Sequence, residues 1–238
     1  MNDDRPHNHD HRHHGHGGLP GGSELAEKLA LDALVFRPAF EDASGWVAEL
    51  SRGDPRVILD LGCGPGIGAV LLARRFEQAR VVAVDASAEM LGAMAIATEK
   101  AGLADRVQGV LADLDEEWPD LPLADVAWAS SMLHESADPA ALSARVCRSL
   151  APGGLLMVIE MDGLPTFLPD GAPGSRVEAH ARATLLAAGW NSHPDWSRTL
   201  DLAGLDVIAR RALNPEVPAS TAEIARYAER HLGDVREA

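Results

Sequence analysis

The sequence contains few cysteines, few aromatic residues and little positive charge. Cys63 and Cys147 are the two cysteines among its 238 residues, and aromatic residues make up 4% of the chain. Two cysteines cannot build a disulfide framework, which predicts a reducing compartment and hence a cytoplasmic protein. Lysine and arginine number 21 against 36 acidic residues, for a formal net charge of -15. Because basic side chains that neutralise phosphates dominate affinity for nucleic acids, this balance predicts no nucleic-acid partner.

Long apolar runs are absent as well. No stretch approaches the roughly 18 apolar residues of a membrane-spanning helix. The N-terminus is polar where a signal peptide would be apolar. The sequence therefore predicts no membrane association. Hydrophobic residues still account for 46% of the chain, which is ample for the core of one large globular domain with additions.

The first 52 residues divide into two parts. Residues 1–22 hold six histidines among polar residues and glycine, a composition that cannot pack and predicts a disordered tail. The histidine spacing matches no closed metal site, so no metal ligands are predicted. Residues 23–52 carry helical patterns, with Ser23 as an N-cap and a second helix from Phe40 to Leu50. They precede the first strand and are predicted to form a helical lid, with apolar surface from Phe36, Phe40 and Trp46.

Residues 53–238 alternate short apolar strands with helices. The predicted strands are Val57–Leu61, Val81–Val84, Val107–Leu111, Asp125–Ala129, Leu155–Ile159 and Leu205–Ala212. One helix is predicted to contain Val70, Leu71, Leu72 and Phe76, and further helices are predicted near residues 88–101, 139–150, 176–188 and 221–232. This alternation indicates a doubly wound α/β domain, with a mostly parallel Rossmann-like sheet and helices on both faces. Ligands of such domains bind beyond the carboxyl ends of the strands.

The most informative stretch reads V-I-L-D-L-G-C-G-P-G-I-G, residues 57–68. A buried strand is followed by glycines at 62, 64, 66 and 68, more than a turn needs, which indicates close approach of the backbone to a ligand. A P-loop is excluded because no Gly-Lys-Ser/Thr closes the loop. Gly64, Gly66 and Ala69 do satisfy the dinucleotide fingerprint G-x-G-x-x-A, and Asp85 follows at the distance of a ribose-binding acid. An NAD-dependent oxidoreductase therefore stays open on this pattern.

Asp60 weighs against a dinucleotide. A carboxylate at the strand end beside the loop repels a pyrophosphate and suits a ligand that carries an ammonium and a sulfonium. Asp60 and Asp85 together favour a cationic nucleoside.

Further motifs follow the glycine stretch in a familiar order. They are V-V-A-V-D-A-S at 81–87, A-D-L at 112–114, D-V-A-W-A-S-S-M-L-H-E-S at 125–136 and L-A-P-G-G at 150–154. Together with the glycine stretch they resemble the class I S-adenosylmethionine (SAM) dependent methyltransferases, over about residues 50–162. The resemblance implies SAM as the cofactor and methyl transfer as the activity. A SAM-binding regulatory protein of the same fold is the alternative.

The residue types after the fourth strand favour a small-molecule acceptor. Methyltransferases that modify amino groups of nucleic acids carry Asn or Asp, two prolines and an aromatic residue there, whereas this chain has A-S-S-M at 129–132. The resemblance thus implies an acceptor other than DNA or RNA.

By the same resemblance, the cofactor-binding residues are Asp60, Gly62, Cys63, Gly64, Asp85, Ala86, Met90, Asp113, Leu114 and Ser130. In the family's pattern the first four surround the methionine part of SAM, and Asp85 binds both ribose hydroxyls. Ala86 and Met90 flank the adenine, and Asp113 accepts from its amino group. A carboxylate is a suitable acceptor for each of these donors.

His134 is the predicted catalytic residue. It follows the fourth strand at the ligand side of the sheet and titrates in the range of a general base. A wall residue of the SAM pocket is the alternative, because methyl transfer depends mainly on alignment and a base is optional. Glu135 and Glu160 are weaker candidates for the base, and Glu160 is alternatively expected to bind a substrate hydroxyl or cap a helix.

The acceptor pocket is expected from the lid and from residues 161–196. The bulky residues of that stretch predict an apolar or aromatic acceptor: Met161, Phe167, Trp190, His193 and Trp196.

The end of the chain departs from the family. Class I methyltransferases usually end with an antiparallel strand next to the fifth strand, but no strand pattern follows Ala212. Either Val207–Ala212 fills that place or an edge of the sheet stays open. An open edge invites a homodimer.

Overall fold

The computed structural model of the protein describes residues 28, 29, 31, 32, 34–161, 163–187, 195–214 and 222–237. The histidine-rich tail, Ser23, Trp190 and His193 lie outside the described residues, so the predictions for them stay predictions.

Five strands form one parallel sheet. They are β1 (Val57–Leu61), β2 (Arg80–Asp85), β3 (Val107–Leu111), β4 (Ala124–Ser130) and β5 (Leu150–Ile159). Their order is β3-β2-β1-β4-β5, and every neighbouring pair is parallel. The order reverses between β1 and β4, which is the switch point where doubly wound domains bind ligands. The predicted fold class is confirmed.

Seven α-helices and one 3₁₀-helix are placed within the described residues. They are α1 (Arg37–Leu50), α2 (Ile67–Arg75), α3 (Ala88–Lys100), the 3₁₀-helix Leu133–Glu135, α4 (Pro139–Ser149), α5 (Ser175–Ala187), α6 (Ser197–Leu202) and α7 (Ala222–Glu237). Two of these helices begin at a residue whose side chain caps the helix. The Ser87 side chain accepts from the Met90 N–H at 3.3 Å, and Asp138 accepts from the Ala141 N–H at 2.9 Å ahead of α4.

The alternation of side chains along β1 divides the core into two layers. Ile58 packs in one buried cluster with residues of α1, α2 and α3, among them Val47 and Leu72. Leu59 and Leu61 point to the other face, where α4 covers them. Asp60 lies on the same face as Ile58 and therefore points towards the start of α2.

The predicted strand Leu205–Ala212 is wrong. Residues 205–214 have no regular secondary structure, and Val207 and Ile208 are 45% and 65% exposed. Arginine side chains hold the segment instead of a strand ladder: the Arg211 guanidinium lies 4.6 Å from the centre of the Trp46 ring, and Arg210 pairs with Asp195 at 2.9 Å. Within the described residues β5 is therefore an edge strand. The homodimer stays a prediction.

Gly66 provides a test of the packing at the start of α2. Its φ is +86°, and a Cβ there would lie 2.3 Å from Cγ of Met94 and 2.9 Å from the Met94 Cα. We expect Gly66→Ala to lose about 1–2 kcal/mol of unfolding free energy from the left-handed backbone. Overpacking adds a loss of about 1–3 kcal/mol. Chemical denaturation measures the change.

Gly92 within α3 is the matched control. Apart from its two neighbours and the backbone of its own helix, no described residue lies within 4 Å of the position that a Cβ on Gly92 would take. Gly92→Ala is therefore expected to gain about 0.5–1 kcal/mol, the ordinary helix preference of alanine over glycine. Equal stability of Gly66→Ala and the wild-type protein would contradict the packing described here.

Candidate active site

The predicted site residues lie along one edge of the sheet. Because all five strands are parallel, the carboxyl ends of β1 to β4 meet at the same edge, called here the ligand edge. The residues placed there are Asp60, Gly62, Cys63, Gly64, Asp85, Ala86, Asp113, Leu114, Ser130 and His134. Met90 lies in the first turn of α3, directly after the β2 end. The topology thus brings together residues that the sequence spreads over positions 60–134.

The glycine loop is fastened to the end of β2. Gly62 and Gly64 have φ values of +64° and +51°, which non-glycine residues adopt only at a cost. The Cys63 N–H donates to the Val84 carbonyl at 3.0 Å, and the Gly64 N–H donates to Oδ2 of Asp85 at 2.8 Å. The loop is therefore held in one conformation by the neighbouring strand.

Asp60 is a buried carboxylate with an unsatisfied oxygen. The residue is 3% exposed, and its Oδ2 has no hydrogen-bond donor among the described residues. Burial, with the nearby Asp85 charge, raises the pKa of Asp60 to about 7, against a smaller opposing effect of the Ala69 N–H. A buried carboxylate oxygen without a partner is costly unless a ligand supplies one. A cationic ligand at the glycine loop fits this arrangement.

Asp85 has both carboxylate oxygens oriented by the backbone. Oδ2 accepts from Gly64, and Oδ1 accepts from the Ser87 N–H at 2.9 Å. Each oxygen of an ionised carboxylate has room for a second donor. The side chain is thus fixed in place and retains acceptor capacity for two hydroxyls.

The loop after β3 is held by a residue that the sequence reasoning missed. Asp113 is exposed, and its Oδ1 accepts from the Asp115 N–H at 3.0 Å, an Asx turn. The Asp115 carboxylate accepts from the Ser136 hydroxyl at 2.6 Å and the Ala137 N–H at 2.9 Å. Arg145 of α4 donates to the Leu114 carbonyl at 2.7 Å. These contacts join the loop after β3 to the loop after β4, and no sequence motif signals them.

The loop after β4 lies directly against the glycine loop. A Cβ on Gly62 would lie 2.8 Å from Cγ of Met132. Ser131 has a φ of +52°, unusual for a residue other than glycine, and its N–H donates to the Ile159 carbonyl at 2.8 Å. A strained residue between Ser130 and Met132 places this loop over the switch point.

His134 is held between two glutamates. Nδ1 lies 2.6 Å from Oε2 of Glu160, and Nε2 lies 3.1 Å from Oε1 of Glu135. Hydrogen bonds to Glu135 and Glu160 raise the pKa of His134 to about 9, against the opposing effect of burial. The ring is therefore protonated at neutral pH, and in this arrangement it has no lone pair to act as a base. The other Glu160 oxygen accepts from the Leu133 N–H at 2.9 Å, which caps the 3₁₀-helix.

Comparison with known proteins agrees with this geometry. Residues 58–154 match the protein family described as a methyltransferase domain. The match identifies these residues as a methyltransferase domain and supports the class I SAM-dependent family. The family resemblance predicted from the motifs is thereby confirmed.

Relatives of the methyltransferase domain include enzymes and solved structures. The trans-aconitate 2-methyltransferase of Azoarcus sp. strain BH72 is 38% identical over 112 residues, 47% of this chain and 42% of that protein. The protein of that name from Acidovorax sp. strain JS42 is 38% identical over 128 residues, 54% of this chain and 45% of that protein. The similarity thus spans less than half of either relative. An O-methyltransferase family protein from Burkholderia thailandensis shares the fold, with a TM-score of 0.57 and 20% identity over 80% of this chain and 57% of that one.

The N-terminal segment touches the glycine loop of the methyltransferase domain. A Cβ on Gly64 would lie 3.9 Å from Cδ1 of Leu29. Phe40 packs edge-on against Trp128 of β4, with 6.5 Å between the ring centres, so this lid residue has a core role. Trp46 lies under Arg211.

Phe36, Phe167 and Tyr227 form an aromatic cluster from three distant parts of the chain. The Tyr227 ring of α7 lies 6.0 Å from Phe36 and 5.9 Å from Phe167 between ring centres. Burial, with the Asp32 charge, raises the pKa of the Tyr227 hydroxyl, which keeps it neutral. Glu178 of α5 fixes the loop by accepting from the Phe167 N–H at 2.6 Å. Tyr227 is the single tyrosine of the chain, a signal that the sequence reasoning did not use.

Trp196 and Cys63 both lie in packed parts of the protein. Trp196 precedes α6, which packs against α4. Cys63 is buried, and burial with the Asp60 and Asp85 charges raises the pKa of its thiol, so the thiol is unreactive.

The described part of the chain has neither a cluster of metal ligands nor a membrane-spanning helix. Within it, no three His, Cys, Asp or Glu side chains are grouped to hold a metal ion. No helix there combines the length and hydrophobicity that crossing a membrane requires.

Proposed function

We propose that the protein is a SAM-dependent methyltransferase that acts on a small-molecule acceptor. The observation that carries the proposal is the buried Asp60 carboxylate beside the glycine loop, whose Oδ2 has no donor among the residues that the structure describes. SAM carries an ammonium and a sulfonium, which suit that oxygen, whereas the pyrophosphate of NAD would be repelled. The matching methyltransferase domain supports the same donor.

The proposed cofactor site uses the ligand edge from β1 to β4. Asp60, Gly62, Cys63 and Gly64 would hold the methionine part, and Asp85 both ribose hydroxyls. Ala86, Met90, Asp113 and Leu114 would surround the adenine, with Ser130 at the β4 end. The fixed orientation of Asp85 supports its assignment, because a preorganised acceptor loses little freedom on binding.

The chain's contribution to the reaction is mainly alignment. SAM, when bound, supplies a methyl group on a sulfonium whose sulfur leaves as a neutral thioether. Holding the acceptor atom in line with that methyl group contributes about 7–11 kcal/mol to catalysis. Gly62 and Met132 would set the width of the cleft at the switch point, and Leu29 would cover the glycine loop.

We divide the chain into a histidine-rich tail at 1–22, a helical lid at 23–52 and the methyltransferase domain at 53–238. The contact of Leu29 with the glycine loop supports the lid. The aromatic cluster supports an acceptor pocket between the lid, the loop after β5 and α7, with apolar or aromatic walls.

The names of the relatives suggest one acceptor to test first. Trans-aconitate, the acceptor in the names of these relatives, is a small carboxylic acid. The aromatic cluster favours a second candidate, an aromatic acid or phenol.

Calorimetric titration with S-adenosylhomocysteine, the demethylated product of SAM, and with NAD tests the proposed site. We expect binding of S-adenosylhomocysteine and none of NAD; exclusive binding of NAD would contradict the proposal and favour an oxidoreductase. Transfer of labelled methyl from SAM to trans-aconitate and to simple aromatic acids then separates an enzyme from a regulatory SAM-binding protein. Tight binding without transfer to any acceptor would favour the regulatory role.

A further inference from the structure

The two glutamates that contact His134 differ in solvent exposure, and this difference bears on how an acceptor could bind. Nδ1 contacts Glu160, whose side chain is 8% exposed, and Nε2 contacts Glu135, whose side chain is 77% exposed. Glu160 also accepts from the N–H of the buried Leu133, so its removal would leave a buried amide without this acceptor. The Glu160 contact is therefore a permanent one.

The Glu135 contact is replaceable. An ion pair at a solvent-exposed carboxylate contributes only about 0–1 kcal/mol, because water solvates both partners nearly as well. Because this ion pair is weak, a ligand with its own acidic oxygen and an apolar body can compete with Glu135 for Nε2 of His134.

Nε2 also lies in the right part of the molecule. His134 follows Met132, which packs against Gly62, and the 3₁₀-helix that carries His134 is anchored to the end of β5 by Glu160. The 3₁₀-helix that carries the imidazole thus begins next to Met132, which packs against the glycine loop that we propose as the SAM site.

We propose that an acidic oxygen of the acceptor, from a carboxylate or a phenolate, replaces Glu135 on Nε2 of His134, with Glu160 as the positioning residue. This inference rests on the proposed function and narrows it to methylation of an acidic oxygen. The imidazolium serves as the counter-ion of the nucleophile and keeps its proton. The oxygen forms the bond to the methyl carbon, the carbon–sulfur bond breaks, and its electron pair stays on sulfur. An ammonium acceptor does not fit Nε2 itself, because it would bring a second positive charge against the imidazolium.

Binding of small probes to the protein saturated with S-adenosylhomocysteine tests the inference. The probes are benzoate and, as the nitrogen analogue, benzylamine. The protein is labelled with ¹⁵N-histidine and studied by NMR at pH 7.5. The chain has ten histidines, and the ring signals of His134 are identified as those that disappear in His134→Gln. Benzoate is expected to shift these signals. Benzylamine is expected to leave them unmoved.

Variants separate the exchangeable contact from the permanent one. Glu135→Ala is expected to tighten benzoate binding about two- to fivefold, because the competing carboxylate is gone. His134→Gln and Glu160→Gln are expected to weaken it at least tenfold while affinity for S-adenosylhomocysteine is retained, which also reports that each variant is folded. Glu77→Ala is the matched control, since Glu77 is an exposed carboxylate beyond the end of α2 at the opposite edge of the sheet.

The results of these experiments test the proposed function and the acidic-oxygen site separately. A wild-type protein that binds no S-adenosylhomocysteine contradicts the proposed function. Normal binding of S-adenosylhomocysteine together with unmoved His134 signals, or weaker benzoate binding in Glu135→Ala, overturns the acidic-oxygen site alone. If Glu160→Gln does not fold, the opposite effects expected of Glu135→Ala and His134→Gln still decide the question.

Discussion

Asp85→Ala is expected to weaken binding of S-adenosylhomocysteine by roughly 10²- to 10⁴-fold. In the proposed site the carboxylate accepts from two ribose hydroxyls, and a hydrogen bond to a charged group contributes about 1.5–3 kcal/mol. The substitution also removes the acceptor of the Gly64 and Ser87 amides, so the glycine loop loosens and the melting temperature falls. Calorimetry measures the affinity, and thermal unfolding measures the cost to the fold.

Two further variants separate these effects. Asp85→Asn keeps one carbonyl oxygen as an acceptor and is expected to fall between the wild-type protein and Asp85→Ala. Asp113→Ala removes an exposed carboxylate whose hydrogen bond to Asp115 stays within its own turn, so a loss of affinity of about tenfold at most is expected, with little change in melting temperature. Unchanged affinity in Asp85→Ala would remove the basis for the proposed site.

Asp60 is expected to make SAM binding depend on pH. Because burial raises the pKa of Asp60 to about 7, the carboxyl is largely protonated below that pH in the unliganded protein. A cation at Oδ2 favours the ionised form, so binding below pH 7 is coupled to release of a proton. Affinity should therefore rise by up to about tenfold per pH unit from pH 5.5 towards 7 and level off above it.

Asp60→Asn provides the comparison for this pH dependence. The amide does not titrate, so the affinity of the variant should be nearly constant from pH 5.5 to 7.5. At pH 7.5 it should be about 10- to 100-fold weaker than the wild type, from loss of one charge-assisted contact. A wild-type protein whose affinity shows no rise over this range would show that Asp60 does not face the cation.

The same carboxyl affects folding with a definite sign. Its pKa in the folded protein lies above the ordinary value of 3.8, so the folded state binds more protons between about pH 4 and 7. The contribution of Asp60 to unfolding free energy is thus present below pH 4 and lost as pH rises to 7. Asp60→Asn should remove this component of the pH dependence of stability.

Much of the fold follows from short-range patterns in the sequence. The first four predicted strands were confirmed within about a residue at each end, because buried parallel strands consist of uninterrupted apolar runs between glycine, proline and charged residues. The fifth strand starts at Leu150, five residues before the prediction, since Pro152, Gly153 and Gly154 obscure the pattern there. The segment 205–212 has an apolar alternation that resembles a strand, but a strand requires a neighbour, and arginine contacts hold this segment instead.

In the candidate site, too, the features that depend on neighbouring residues were predictable, and those that depend on contacts between distant residues were not. Gly62 and Gly64 were predicted at the loop because positive φ and close approach require glycine whatever the rest of the chain does. The aromatic cluster could not be predicted, because it joins residues 36, 167 and 227 through contacts with no sequence period. His134 was predicted as a base from its ordinary pKa, yet its protonation depends on Glu160, which is 26 positions away in the chain.

The sequence by itself determined the class of fold, the place of the ligand edge and the chemistry of the donor site, because these depend on residue types at fixed local spacings. Only the tertiary structure decided which charges face one another. It leaves one oxygen of Asp60 without a donor, fixes Asp85 by two backbone amides, and places His134 between a buried and an exposed glutamate. The distance between two such charges and their removal from water determine the pKa values of these side chains and how easily a ligand replaces one partner. The order of residues in the chain does not specify either quantity.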